Sequence, residues 1–227
     1  MTELGHSTDQ ARAALGRKIL GDDFSCVAGK TAWLRSVVVH HHLGRLADAA
    51  ATAELYPRLV EFARRRDEID PLLASFAATF AEPADVPEEH FEELLWDQLQ
   101  QLHELDATRH DWDPIADRDP SSPRFALSLG GHAFFVVGLH SNASRITRRF
   151  PLPTLVFNSH LQFERLKARG IYQRIQDQVR RREMTLQGSL NPNLSEFGSA
   201  SEAGQYSGRA VPPGWSCPFR PGPRSVR

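Results

Sequence analysis

Residues 133–164 read AFFVVGLHSNASRITRRFPLPTLVFNSHLQFE, and no other stretch restricts the fold of this chain as much. An apolar run, residues 133–139, ends on His140, and a basic turn carrying Arg145, Arg148 and Arg149 follows. Pro151 and Pro153 bracket the approach to a second run, Leu155-Val156-Phe157, which stops at Asn158-Ser159-His160, where helical spacing begins. Short runs rich in β-branched and aromatic residues, bounded by turn residues, predict two strands. Their ends deliver His140, Asn158 and His160, with three arginines between them. Polar groups at strand ends beside a cationic loop are a common way to build a ligand site. An ordinary strand, solvated turn and strand is the plainer alternative.

The neighbouring segments supply partners for these strands. Residues 124–129 and 132–139, joined by Gly130-Gly131, predict a hairpin. Asp85-Val86-Pro87-Glu88-Glu89 reads as a helix start, and Phe91, Leu94, Leu95, Leu99 and Leu102 form its buried stripe. Residues 8–20 and 46–66 also carry helical spacing, with Pro57 starting or kinking the second half of the latter. Residues 31–43 admit helix or strand, and 72–80 predict a strand. Ser159 and Gln162 stand three apart as in a capping box, Gly170 interrupts the helix that follows, and a further helical piece runs to Arg182. Residues 106–123 read as an acidic connector without the glycine and terminal glutamate of a calcium loop. Beyond Met184, Gly, Pro, Asn and Ser dominate, yet Leu194, Phe197, Tyr206, Trp215 and Phe219 are too many apolar anchors for a disordered tail. The expected architecture is α+β: one domain over 1–227, a mainly antiparallel sheet with packed helices, an N-terminal helix within 1–20, and an irregular C-terminal wrap over 184–227.

With 227 residues, 41% of them hydrophobic, a sizeable core is available. A net charge of -1 gives no reason to expect nucleic acid or membrane as a partner. No apolar segment approaches the roughly 20 residues that span a bilayer, and the first residues lack the basic-then-apolar order of a secretory signal. A cytoplasmic setting is the expectation. The two cysteines, Cys26 and Cys217, then remain thiols and fall short of a structural zinc site on their own. The His40-His41-His42 run is a poor chelate, because adjacent side chains point to different faces.

Several ordered motifs resemble the YqcI/YcgG family, which includes haem-dependent guanidino N-hydroxylases. They are Phe134-Phe135-Val136-Val137-Gly138-Leu139-His140, Arg145 with Arg148-Arg149, and Phe157-Asn158-Ser159-His160-Leu161-Gln162-Phe163-Glu164. Further on come Gly188-Ser189-Leu190-Asn191-Pro192, Gly198 with Ser201-Glu202, Gln205-Tyr206-Ser207-Gly208-Arg209 and Trp215-Ser216-Cys217-Pro218-Phe219. Leu95-Trp96-Asp97-Gln98-Leu99 fits too, and Phe24-Ser25-Cys26 looks like a Phe-Pro-Cys element with serine in the proline's place. The resemblance implies haem b, molecular oxygen, a small guanidino substrate such as arginine, and a monooxygenase that N-hydroxylates it with electrons from a separate reductase. No flavin or dinucleotide fingerprint is present to supply them. A non-catalytic haem-binding or sensing protein is the alternative.

That chemistry needs a ligand to iron, an apolar pocket and counter-charges for two propionates. Cys217 is one candidate ligand, Cys26 a second with weaker local context, and His140 and His160 are the imidazole candidates; the sequence leaves thiolate or imidazole open. Arg145, Arg148, Arg149 and Arg209 are candidates for propionates or a substrate carboxylate, with Arg148 or Arg149 also readable as a solvated loop charge. Glu164 and Glu202 are candidate partners for a guanidinium, and Asn158, Gln205 and Tyr206 candidate hydrogen-bond donors to substrate or oxygen. Capping the helix that follows is the alternative role for Asn158.

Overall fold

A computed structural model of the chain describes residues 7–193 and 200–222. Leu194, Phe197 and Gly198, singled out above, lie outside the described residues. At the centre stands a five-stranded sheet of β1 (Val38–Arg45), β2 (Ser75–Glu82), β3 (Leu127–Leu129), β4 (His132–Leu139) and β5 (Thr154–Ser159), in the order β1-β2-β5-β4-β3. Only β1 and β2 are parallel, joined through the crossover helix α3 (Ala49–Ile69); the other pairs are antiparallel. The remaining helices are α1 (Thr8–Leu20), α2 (Val27–Leu34), α4 (Glu88–Asp106), α5 (His160–Ala168) and α6 (Tyr172–Gln187). The α+β expectation holds, with a mostly antiparallel sheet.

Local chemistry explains most boundaries. Gly130 and Gly131 take φ of 61° and 74°, the left-handed pair that a two-residue hairpin turn requires. The first hairpin strand is shorter than its apolar run, because Phe125 bridges to Asp117 and its N–H donates to the Ser122 carbonyl at 3.0 Å. The ambiguous residues 31–43 divide: α2 stops at Leu34, Ser36 turns with a φ of 57°, and the β-branched valines open β1. Asp48 caps α3 by accepting from the N–H groups of Ala50 (2.9 Å) and Ala51 (3.3 Å), and Pro57 sits inside the continuous helix. The capping box expected at Ser159 does not form, since Gln162 turns into the cavity described below. The last helix runs to Gln187, beyond the Arg182 end that the spacing predicts.

Alternation along the strands sorts side chains onto two faces. Phe76, Ala78 and Phe80 of β2, Phe134 and Val136 of β4, and Leu155 and Phe157 of β5 pack with α3 and α4 in the main core. Ala203, Tyr206, Cys217 and Phe219 of the C-terminal wrap belong to this face as well. Tyr206 (0% exposed) stacks on Trp96, with centroids 5.4 Å apart and 18° between planes, and Phe219 is 1% exposed. The wrap also extends the sheet edge where β3 ends: the Gly138 N–H donates to the Tyr206 carbonyl at 2.8 Å, and the Leu127 N–H donates to the Tyr206 hydroxyl at 3.3 Å. The opposite face, which carries Ala77, Val137 and Val156, looks toward α1 and α2.

Gly138 leaves room for two side chains of α4. A Cβ there would stand 2.8 Å from Phe91 and 2.9 Å from Leu95, both fully buried. Gly138→Val is expected to lower unfolding stability by about 1–3 kcal/mol through overpacking, read as a fall in the urea midpoint at unchanged slope.

Candidate functional site

Between the second face of the sheet and helices α1, α2, α5 and α6 lies a cavity of about 710 Å³. Ala77, Val137 and Val156 form its floor; Leu15, Ala32, Ile175 and Val179 stand on its helical side. Such a volume is in the range of small-molecule and cofactor pockets, roughly 300–1,000 Å³. Polar side chains enter this apolar slot from three places.

The first is the start of α2. Cys26 is its N-cap residue and its Sγ accepts from the Gly29 N–H at 3.3 Å. Burial raises the thiol pKa, while the Gly29 and Ala28 amides and the Arg148 charge pull it down. Next to it, the Ser25 hydroxyl donates to Glu183 Oε1 (2.5 Å) and lies 2.9 Å from Thr147 Oγ1. Glu183 Oε2 in turn accepts from Arg145 Nη2 at 2.6 Å, and Arg145 also donates to the Ser189 carbonyl and hydroxyl. This buried knot joins α2, the basic turn and α6.

The second is the end of β5. Asn158 and His160 both line the cavity. Asn158 does not cap α5; its Oδ1 accepts from the Ser75 hydroxyl at 2.8 Å. His160 Nε2 lies 3.0 Å from Glu202 Oε1. Glu202, from the C-terminal wrap, is buried, and burial raises its pKa against the opposing pull of His160 and Tyr206. Tyr206 donates to the same oxygen at 2.6 Å. Desolvation and the adjacent carboxylate push the phenol well above its ordinary pKa, so it is a donor. Gln205 lines the cavity beside this trio.

The third is the basic turn. Arg148 lines the cavity and is held by main-chain carbonyls, as described further below, whereas Arg149 is exposed and braces its own turn through the Ala143 carbonyl at 2.8 Å. Glu164 stands exposed on the cavity wall, 3.3 Å from Lys167.

Other sequence candidates fall elsewhere. Cys217 is packed in the main core on the far face, where burial pushes its thiol up to about 12. Arg209 is ion-paired with Glu92 of α4. His140 is 1% exposed, stacks on Phe91 at 4.2 Å and finds no hydrogen-bond partner for either ring nitrogen. The histidine triplet lies on β1: His40 and His42 share Thr79 Oγ1, each at 3.0 Å, while His41 meets Glu54 at 2.8 Å. Among the described residues no group of three or more His, Cys, Asp or Glu is arranged to hold a metal ion, and no helix is long and apolar enough to cross a membrane.

The structural placement agrees with the comparison to known families: the family model for YqcI/YcgG matches residues 15–220. The chain belongs to the YqcI/YcgG family. No curated protein and no solved structure matches it. The family match spans all three groups of cavity residues, from Cys26 through His160 to Glu202. Glu183, which holds this family member's cavity wall together, escapes sequence reading: it follows an arginine run on a hydrophilic helix and looks solvated. A lone acid after three arginines is the only signal it offers.

His140 carries a pH dependence. Burial, with Arg148 second, lowers its pKa to about 4, so the folded chain binds this proton less well than the unfolded one. Its contribution is fully present above the unfolded value of 6.5 and is lost as pH falls toward about 4. His140→Phe keeps the stacking and is expected to flatten the stability profile in that window, where wild type loses up to about 1.4 kcal/mol per pH unit from this group; urea unfolding at a series of pH values measures it.

Proposed function

We propose that the cavity takes haem b and a guanidino compound, and that the protein is a haem-dependent monooxygenase N-hydroxylating that compound. The observation that carries the reading is the apolar slot with a thiol and an imidazole–carboxylate pair on its wall. The residues fit the group. A strand face of small and β-branched side chains suits a planar macrocycle, and the half-buried Arg148 on the cavity wall suits a carboxylate. Bound haem would activate molecular oxygen, with two electrons from a separate reductase and one oxygen atom leaving as water.

Cys26 is the favoured ligand. It sits at a helix N-terminus where two amides and Arg148 favour the thiolate, and the metal would supply what burial takes away. A reducing cytoplasmic setting keeps it a thiol. Glu202 is the group to hold the substrate's cationic nitrogen. Its Oε1 is occupied by His160 and Tyr206, whereas Oε2 makes no hydrogen bond among the described residues. Tyr206 fixes that carboxylate, and Asn158 offers a neutral contact on the floor. The apolar floor excludes water, which strengthens the Glu202–guanidinium attraction.

Haem reconstitution tests this. Wild type is expected to give a Soret band and, once reduced under carbon monoxide, the red-shifted thiolate form. Cys26→Ala should lose the thiolate form, while His160→Ala and Cys217→Ala should keep it. Absence of a Soret band in wild type would sink the reading. A Soret band without N-hydroxylated product from arginine or other guanidines, given a reductant, would mark a haem-binding protein without this activity.

A further inference from the structure

Arg148 differs from the other arginines of the basic turn in how its donors are used. Nη1 donates to the carbonyls of Gly138 (2.9 Å) and Tyr206 (3.4 Å), and Nη2 to the carbonyl of Gln205 (3.3 Å). Three of its five N–H groups are thereby placed on neutral acceptors, and Nε is not one of them. Among the described residues Arg148 forms no ion pair and its Nε makes no hydrogen bond. Nε–H and one Nη2–H lie on the same edge of a guanidinium, the edge that grips a carboxylate with two parallel bonds. Arg145 offers no such edge, since its Nη groups are committed to Glu183 and Ser189.

The surroundings give Arg148 no direct ion pair and leave its side chain fixed. Burial lowers the Arg148 pKa to about 10, with Glu183 the largest opposing influence. A half-buried guanidinium bonded directly only to carbonyls has room for an ion pair, and an anion that reached it would gain a charge-assisted contact. The C-terminal wrap packs along its stem: a Cβ on Gly208, whose φ is 87°, would stand 3.2 Å from Arg148 Cγ. An arginine held this way loses little freedom on binding. Arg180 lines the same cavity and forms no ion pair among the described residues.

We infer that Arg148 is the carboxylate receptor of this cavity, and that the occupant is an apolar or planar molecule bearing a carboxylate that takes the Nε/Nη2 edge. The carboxylate has two possible sources, a propionate of the cofactor or the acid group of a substrate; naming them rests on the reading above, the receptor itself does not. Three pairs, each an acid against an analogue without the free carboxylate, separate the cases by calorimetric titration of the full chain: haemin against its dimethyl ester, L-arginine against agmatine, and decanoate against decanol.

In wild type at least one acid is expected to bind about tenfold or more tightly than its carboxylate-free partner, and that advantage should vanish in Arg148→Gln. Loss confined to the haemin pair assigns the propionate; loss confined to the arginine pair assigns the substrate acid. If Arg148→Gln does not fold, Arg148→Lys keeps the charge without the fork and should lose most of the advantage. An acid advantage that survives both variants, or no acid advantage in any pair, overturns the inference. Haemin that does not bind, beside a decanoate advantage that needs Arg148, removes the haem reading and leaves the receptor standing. A Soret band with no Arg148-dependent preference does the reverse.

Discussion

The short hydrogen bond from the Tyr206 hydroxyl to Glu202 carries more of this structure than any other single contact. Tyr206 belongs to the main core by its ring, stacked on Trp96, and to the sheet edge by its backbone and hydroxyl. Glu202 faces the other way, toward His160 and the cavity. One phenol thus fastens an irregular segment to the sheet and delivers a buried carboxylate to the pocket. An unpartnered carboxyl would not stay charged in that position, because desolvation alone raises its pKa.

The two faces of the sheet do different physical work. The α3/α4 face is filled by aromatic and aliphatic side chains to the point that glycine is the residue that fits at position 138. The other face is floored with small and β-branched residues, and the helices over it stand off far enough to leave a slot. Packing density therefore changes across a single layer of backbone, with stability concentrated on one side and binding capacity on the other.

Much of the frame was legible from pattern. Phe91 to Leu102 gives α4, the paired glycines give the hairpin, and the run ending at Asn158-Ser159-His160 gives a strand that hands two polar groups to the pocket. The aromatic anchors of the tail correctly signalled a wrap rather than disorder, as Tyr206 and Phe219 show. What pattern could not give is which face a residue meets. Cys217 sits among Trp, Pro and Phe in sequence, and that apolar company reports burial in the far core, whereas Cys26 gains its place at the slot from a helix start and contacts more than a hundred residues away. Arg148 and Arg149 are neighbours with opposite fates for the same reason: a short helical turn at residues 146–148 aims one inward and the other out. The parallel pairing of β1 was equally hidden, since it depends on a crossover through α3 and not on local spacing.

Helix α6 has a composition suited to solvent, and Glu183 is its single buried residue. Its half-buried Ile175 and Val179 line the slot. An apolar occupant would cover those two side chains, and any ligand that binds only the folded chain would stabilise it by mass action.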